Sequence, residues 1–235
     1  SAIYFDGNNE YIRVQQSTDT DLNTDDFYVH ARVNVIAKSS GDTGRIADSA
    51  GRGSTSSKAG YQLKIRYRVS GFHFYDCSVS DGSGQFISDL SEGKLFSYNE
   101  YHNVVMVYSR LDNTLSIYVD GILEHTYTGN GTLGNINPTI DTIFGTSVYS
   151  GGSPSSIEQS YKGGTSRIVI GNYAPSADRI FTENDNDKNA QTWWSVGALE
   201  DESSVITPTI ELIDNLIQPS NDILVLSSVG QLTPI

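Results

Sequence analysis

Asp185-Asn186-Asp187-Lys188-Asn189 is dense in oxygen donors, and a calcium ion gathers roughly six to eight oxygens from short loops of that kind. Asp185, Asp187 and Asn189 have the first three alternate spacings of a calcium loop. The pattern then fails, because Ala190 replaces the turn glycine and Val196 the bidentate glutamate. A helix-loop-helix site is excluded, and calcium stays open only as a looser site on those three residues. Sugar recognition asks for something else: an aromatic ring beside Asp, Asn or glycine backbone. Trp193-Trp194 offers it, with Tyr149, Tyr161 and Tyr173 in or beside Gly-rich loops where they could line a groove. Neighbouring residues of a strand point to opposite faces, so one indole can anchor while the other is exposed. The plainer alternative packs both rings beneath the loop. His30, His73, His102 and His125 are scattered and Cys77 is the single cysteine, so neither a zinc spacing nor a disulfide framework exists. Cys77 reads as a buried, inert thiol. Gly51-Arg52-Gly53-Ser54 lacks the lysine spacing and following helix of a phosphate loop.

Alternating strands must position these groups. Leu115, Ile117 and Val119 alternate with Ser116 and Tyr118, the period of a half-buried strand. Asp120-Gly121 then favours a left-handed two-residue turn, and Leu123 to Tyr127 resumes the alternation. Tyr101 to Ser109 is apolar on both faces, as in a central strand or one covered by long loops. Ile3 to Phe5 and Tyr11 to Val14 open the chain around Asp6-Gly7-Asn8-Asn9, a turn that Asp6 caps. Phe27 to Val35 reads as a one-sided strand, with Tyr28, His30, Arg32 and Asn34 outward. Further strands are expected at Ile46-Ala47, Tyr61 to Val69, Phe72 to Tyr75, Gln85 to Ile87 and Arg167 to Gly171. Long loops are expected at 37–60, 145–165 and 172–210, and helix is limited to a turn or two. The whole, 1–235, reads as one all-β domain with an apolar tail at 219–235 that suits docking.

Charge narrows the partners. Twenty-eight acidic against 15 basic residues give a net charge of −13, which repels nucleic acid and acidic polysaccharide at long range unless a local basic patch overrides it. Lys64, Arg66 and Arg68 nevertheless line one face of the strand beginning at Tyr61. Two readings stay open: pairing with acids on neighbouring strands, or an interface for an acidic glycan or another subunit. The same interface would draw in Ile223, Leu224, Leu226, Leu232 and Ile235 of the tail. No run is long and apolar enough to predict a membrane span. Ser1-Ala2-Ile3-Tyr4 shows no leader, so a secretory signal is either absent or already removed.

Tyr101-His102-Asn103-Val104-Val105-Met106-Val107-Tyr108, followed by Leu115-Ser116-Ile117-Tyr118-Val119-Asp120-Gly121, resembles the central segment of laminin G-like, concanavalin A-like domains. Ile3 to Gly7, Phe27 to Val35 and Ser166 to Gly171 resemble other strands of that family, in order. The resemblance covers roughly residues 1 to 171, with Glu211 to Leu216 similar to a closing strand. It implies an antiparallel β-sandwich of jelly-roll type. It also implies a function among lectins, adhesins, accessory modules and some enzymes. Paired glutamates two residues apart mark the related retaining glycanases; Glu200 and Glu202 have the spacing but no aromatic strand around them, so the chain is read as non-catalytic. The expectation ranked first is a structural or binding protein on a surface, such as a virion decoration, fibre or tail component, assembling with itself or a shell and able to bind glycans. The alternative is a soluble or secreted carbohydrate-binding module, and a glycan-cleaving enzyme comes third. The location expected is extracellular or on a particle surface, with no cofactor required beyond the open question of calcium.

Overall fold

The structure is a computed structural model describing residues 2–8, 10–17, 21–38, 43–50, 58–68, 71–83, 86–88, 94–129, 131–138, 141–147 and 159–189. The elements are β1 (Ile3–Asp6), β2 (Ile12–Val14), β3 (Phe27–Val35), β4 (Thr43–Asp48), β5 (Ala59–Tyr67), β6 (Phe72–Asp81) and β7 (Phe86–Ser88). They continue with β8 (Phe96–Ser97), β9 (Tyr101–Ser109), β10 (Thr114–Val119), β11 (Ile122–Thr128), β12 (Thr142–Phe144), β13 (Lys162–Gly171) and one helix, α1 (Ala177–Asn189). Two antiparallel sheets face each other. The first, sheet A, runs β1-β13-β3-β9-β10-β11; the second, sheet B, runs β2-β12-β4-β5-β6-β7, with β8 also on β6.

Period-two patterning builds the core. Val29, Ala31, Val33, Val104, Met106, Leu115 and Ile117 of sheet A meet Tyr61, Leu63, Ile65, Tyr75, Cys77 and Val79 of sheet B. Fully burying one such aliphatic side chain contributes about 1.5–3 kcal/mol, so this layer dominates the stability. The hairpin β10–β11 turns at Asp120 (φ 55) and Gly121 (φ 80), the left-handed pair that a two-residue hairpin loop requires. Asp6 caps its own turn by accepting from the Asn8 amide. Cys77 is enclosed, as its neighbours suggest.

Three expectations are corrected. Helix is not limited to a turn or two: α1 has 13 residues and occupies part of the span read as a polar loop. It lies on the outer face of sheet A, where Ile180 packs with Tyr28, Val105 and Val107. That cover explains why β9 is apolar on both faces and why β3 is not one-sided, since Tyr28 and His30 are both buried. Polar contacts complete the docking. Glu183 faces His30 at 3.5 Å, Arg167 at 3.5 Å and Arg179 at 3.0 Å, and Asn103 donates to Asn184 at 2.9 Å. The hydrogen bond from His30, then Arg179 and Arg167 working against burial, pull the Glu183 carboxyl down to about 2.

Second, the span 37–60 is not mainly an edge excursion, because β4 within it is an internal strand between β12 and β5. Third, β6 and β13 are longer than their sequence patterns suggest. Phe72–Asp81 stays extended along all of β5, and β13 begins at Lys162, five residues ahead of Arg167. A bulge between Thr165 and Arg167 shifts the alternation of β13 and hides its first half from a strict period-two reading.

Candidate functional site

The outward faces of the two sheets are built differently. On sheet B, Lys64 and Arg66 of β5 and Asp76 of β6 share one anchoring atom. Lys64 Nζ is 3.1 Å and Arg66 Nε 2.9 Å from Asp76 Oδ2. Register brings them together, since Lys64 stands opposite Asp76 in the β5–β6 ladder. Beside them Arg45 donates to Gln62 at 2.8 Å, Ser78 donates to Gln62 at 3.3 Å, and Gln62 donates to Asp48 at 3.3 Å. Burial pushes the Lys64 ammonium below its ordinary value, and the neighbouring Arg45 and Arg66 add to this against the pull of Asp76. Lys64 is only 4% exposed. Arg68 lays its guanidinium over the Phe74 ring at 5.0 Å. The cationic stripe of the sequence is therefore an internally compensated network at Lys64 and Arg66, the pairing alternative rather than an open interface.

Sheet A presents the opposite. Ladder register sets Tyr4 of β1, Gly164 of β13, Asn34 of β3 and Tyr101 of β9 in one row across four strands. Phe5, Val33 and Val35 point into the core, so Tyr4 and Asn34 point out, and Tyr101 shares their face. Strands stand about 4.8 Å apart, so the row is about 14 Å wide. Tyr4 is 56% and Tyr101 42% exposed, large figures for aromatic residues in strands. Gly164 is itself buried, covered by the Tyr101 hydroxyl. A Cβ there would stand 2.8 Å from the Tyr101 hydroxyl and 4.0 Å from the Asn34 Cβ, so the Tyr101 ring leans over the missing side chain.

Arg32, two residues from Asn34, holds its guanidinium over the same Tyr101 ring at 5.5 Å and donates one hydrogen bond to the Asp187 carbonyl at 3.3 Å. Lys162 lies on the other side of the row, opposite Asp6. The row thus combines two exposed rings and a side-chain amide around a buried glycine, with a cation on either side. Such a surface can stack on an apolar ring face and hydrogen-bond hydroxyl groups around it.

The residues singled out from sequence do not converge. Tyr161 is a core residue, 1% exposed, whose hydroxyl donates to the Asn34 and Gly164 carbonyls at 2.8 and 2.7 Å. It supports the row from beneath and lines no groove. Tyr173 packs against Tyr28, centroids 5.1 Å apart, under Arg179 near the start of α1. Tyr149, Trp193 and Trp194 lie outside the described residues, as do Ile223, Leu224, Leu226, Leu232 and Ile235. Asp185, Asp187 and Asn189 lie on α1 rather than in a loop. At about 100° per residue, Asp187 points away from Asp185. Its carboxylate lies 3.4 Å from Arg167 instead. Among the described residues, no group of three His, Cys, Asp or Glu could hold a metal ion, and no helix is long and apolar enough to cross a membrane.

His102 has the neighbours expected of a strand histidine: its Nδ1 meets Asp120 Oδ2 at 2.8 Å. Burial raises the Asp120 carboxyl, but His102, the Asn103 amide and Lys188 together hold it below the ordinary range. The Tyr4–Gly164–Asn34–Tyr101 row was missed from sequence because its members come from four distant segments. Only the exposed aromatic at each strand edge, Tyr4 beside Phe5 and Tyr101 before His102, could have hinted at it.

A family model described as the concanavalin A-like lectin/glucanases superfamily matches residues 6–181. No curated protein sequence matches the chain. Among solved structures, the chain is similar to a native heptameric SAP-like pentraxin from Limulus polyphemus. The two share 19% identity and a TM-score of 0.56 over 78% of this chain and 81% of that one. It is also similar to the binding domain of Paraclostridial Mosquitocidal Protein 1, at 14% identity and TM-score 0.57, over 80% of this chain and 44% of that one. A third similar structure is of botulinum neurotoxin type C, whose cell entry depends on interaction with two ganglioside molecules. Identity there is 13% and the TM-score 0.52, over 75% of this chain and 39% of that one. This chain therefore spans under half of each toxin chain, and likeness at such identities shows a shared fold. Ordered strands, two-sheet topology and the matched span lead to one conclusion: the chain belongs to the concanavalin A-like lectin/glucanases superfamily.

Proposed function

We propose that this chain is a non-catalytic saccharide-binding module whose site is the Tyr4–Gly164–Asn34–Tyr101 row. The exposed pair of tyrosines on one row of sheet A carries the reading. Aromatic rings left open on a rigid sheet offer stacking area at low ordering cost, and Asn34 supplies both a donor and an acceptor for sugar hydroxyls. The row supplies rings, an amide and a glycine, with no pair of carboxylates to act as acid and nucleophile, which favours binding over catalysis. The row draws on side chains and backbone alone, so calcium has no part in the proposal. Family membership and the ganglioside-dependent entry of one structural relative support glycan recognition, outside cells or on a surface. The family match and the similar solved structures favour this carbohydrate-binding reading over the particle-surface one ranked first from sequence. The test is a glycan-array screen of the full chain followed by calorimetry on the best ligand. Tyr4→Ala and Tyr101→Ala are each expected to weaken that ligand at least tenfold, with and without a calcium chelator. Unchanged affinity in both variants would move the site elsewhere.

A further inference from the structure

We propose that the ligand of this row is an acidic saccharide, its carboxylate or sulfate held by Arg32 with Lys162 on the other side; this rests on the saccharide reading above. The argument begins with how the described cations are occupied. Arg13 pairs with Asp141, Lys64 and Arg66 with Asp76, and Lys94 with Glu124. Arg167 and Arg179 pair with Glu183, and Lys188 faces Asp120. On a chain with 28 acids and 15 bases, such pairing is what composition alone leads one to expect.

Arg32 and Lys162 depart from it. Among the described residues neither has a carboxylate within 4.0 Å, and both flank a row on which two aromatic rings stand open. Arg32 is also fixed in place. The Tyr101 ring at 5.5 Å holds the guanidinium plane, and one N–H caps the carbonyl of Asp187 near the end of α1. A guanidinium has five N–H donors in a rigid fork, so that contact leaves most of the fork for a ligand. Capping alone would be a sufficient role for any cation at that helix end. It does not explain the ring-stacked setting beside an exposed platform, nor the second cation beyond the row.

A planar carboxylate or a sulfate suits such a fork, because two parallel charge-assisted hydrogen bonds fix orientation as well as charge. The sugar ring would lie against the exposed rings of Tyr4 and Tyr101, with its acidic group toward β3. Long-range repulsion from the acidic surface makes this contact local and selective. A free small anion gains the fork without the rings, and a neutral sugar gains the rings without the fork.

The experiment compares oligosaccharide pairs that differ only at the acidic group: a sialylated trisaccharide and a hexuronic-acid tetrasaccharide, each with its carboxyl-reduced form. A sulfated disaccharide is set against its desulfated form in the same way. Each is titrated by calorimetry into the full chain. At least one acidic form is expected to bind ten times or more tightly than its neutral form. Arg32→Gln should abolish that preference, bringing acidic-form and neutral-form affinities within twofold of each other. Arg32→Lys should recover part of it, and Lys162→Gln should lower acidic-form affinity a few-fold. A thermal melt of each variant separates loss of the helix cap from loss of the fork. Equal binding of acidic and neutral forms by the native chain, or a preference that survives Arg32→Gln, overturns the inference. If acidic and neutral forms bind equally and Tyr101→Ala weakens both, the saccharide reading stands while this one falls. If none of the saccharides binds, both fall.

Discussion

The outer faces of the two sheets both carry polar groups and use them in opposite ways. On sheet B, cations and carboxylates meet in register and are buried together, so the network spends its hydrogen-bonding capacity on itself. On sheet A, α1 covers part of the face and leaves beside it a row whose rings are open and whose cations lack acidic partners among the described residues. A charge that is already matched holds a structure together; one left unmatched at an accessible surface is available for recognition. Counting charges along β5 could not separate these cases, because what decides is the residue opposite on β6.

If that contrast is right, removing one partner should hurt sheet B far more than sheet A. Asp76→Ala leaves Lys64 buried without its counter-ion, and breaking a buried pair this way costs about 3–5 kcal/mol. Chemical denaturation is expected to show it, and Lys64→Met in the same background should restore much of the loss. A change below about 1 kcal/mol for Asp76→Ala would mean that the sheet B network is not the closed unit described.

Acid provides the next test, on the covered part of sheet A. The Glu183 carboxyl is pulled down to about 2 in the folded chain, so its contribution is complete above its unfolded value. It is lost as pH falls through roughly 4.3 toward 2. Because the group is partly exposed, the expected size is only about 1–2 kcal/mol. Glu183→Gln should flatten the stability curve in that window and leave it unchanged at neutral pH apart from a constant offset. A curve with the same slope in both proteins would show that these ion pairs do not anchor the helix.

The smallest stability effects belong to the exposed row, where function should respond instead. Gly164→Ala puts a methyl against the Tyr101 hydroxyl, at 2.8 Å before any shift. The ring must swing aside, with saccharide affinity falling at least tenfold and folding stability changing by about 1 kcal/mol or less. Tyr4→Ala, at a residue 56% exposed, should cost about 0.5 kcal/mol or less in stability. A large loss of stability in either variant would make the row structural and erase the contrast between the two faces.

Local order was legible in the sequence and long-range register was not. The β10–β11 hairpin followed from Asp120-Gly121 between two alternating segments, since turn chemistry and periodicity lie within a few residues. Helix α1 escaped because Ala177-Asp178-Arg179-Ile180-Phe181-Thr182-Glu183-Asn184-Asp185-Asn186-Asp187-Lys188-Asn189 has no apolar stripe. Ile180 is its one buried hydrophobic side chain, and ion pairs to β3 and β13 complete its hold. For the same reason Asp185 and Asp187 look like loop residues in the sequence, whereas both lie on α1 and Asp187 meets Arg167. Lys64 and Asp76 were both visible, but their meeting depends on where the β5–β6 turn falls. Tyr4, Gly164, Asn34 and Tyr101 are brought together by three ladders at once, information that no single window contains.

Cys77 gives the molecule an internal clock. Its thiol is fully enclosed on the core side of β6, and a thiol reagent can react only with a chain whose sheets have parted. With a single cysteine in the sequence, every labelled molecule records one such opening. When reclosing outruns labelling, the labelling rate reports how rarely the open form is visited, and a saccharide bound across four strands of sheet A should slow it.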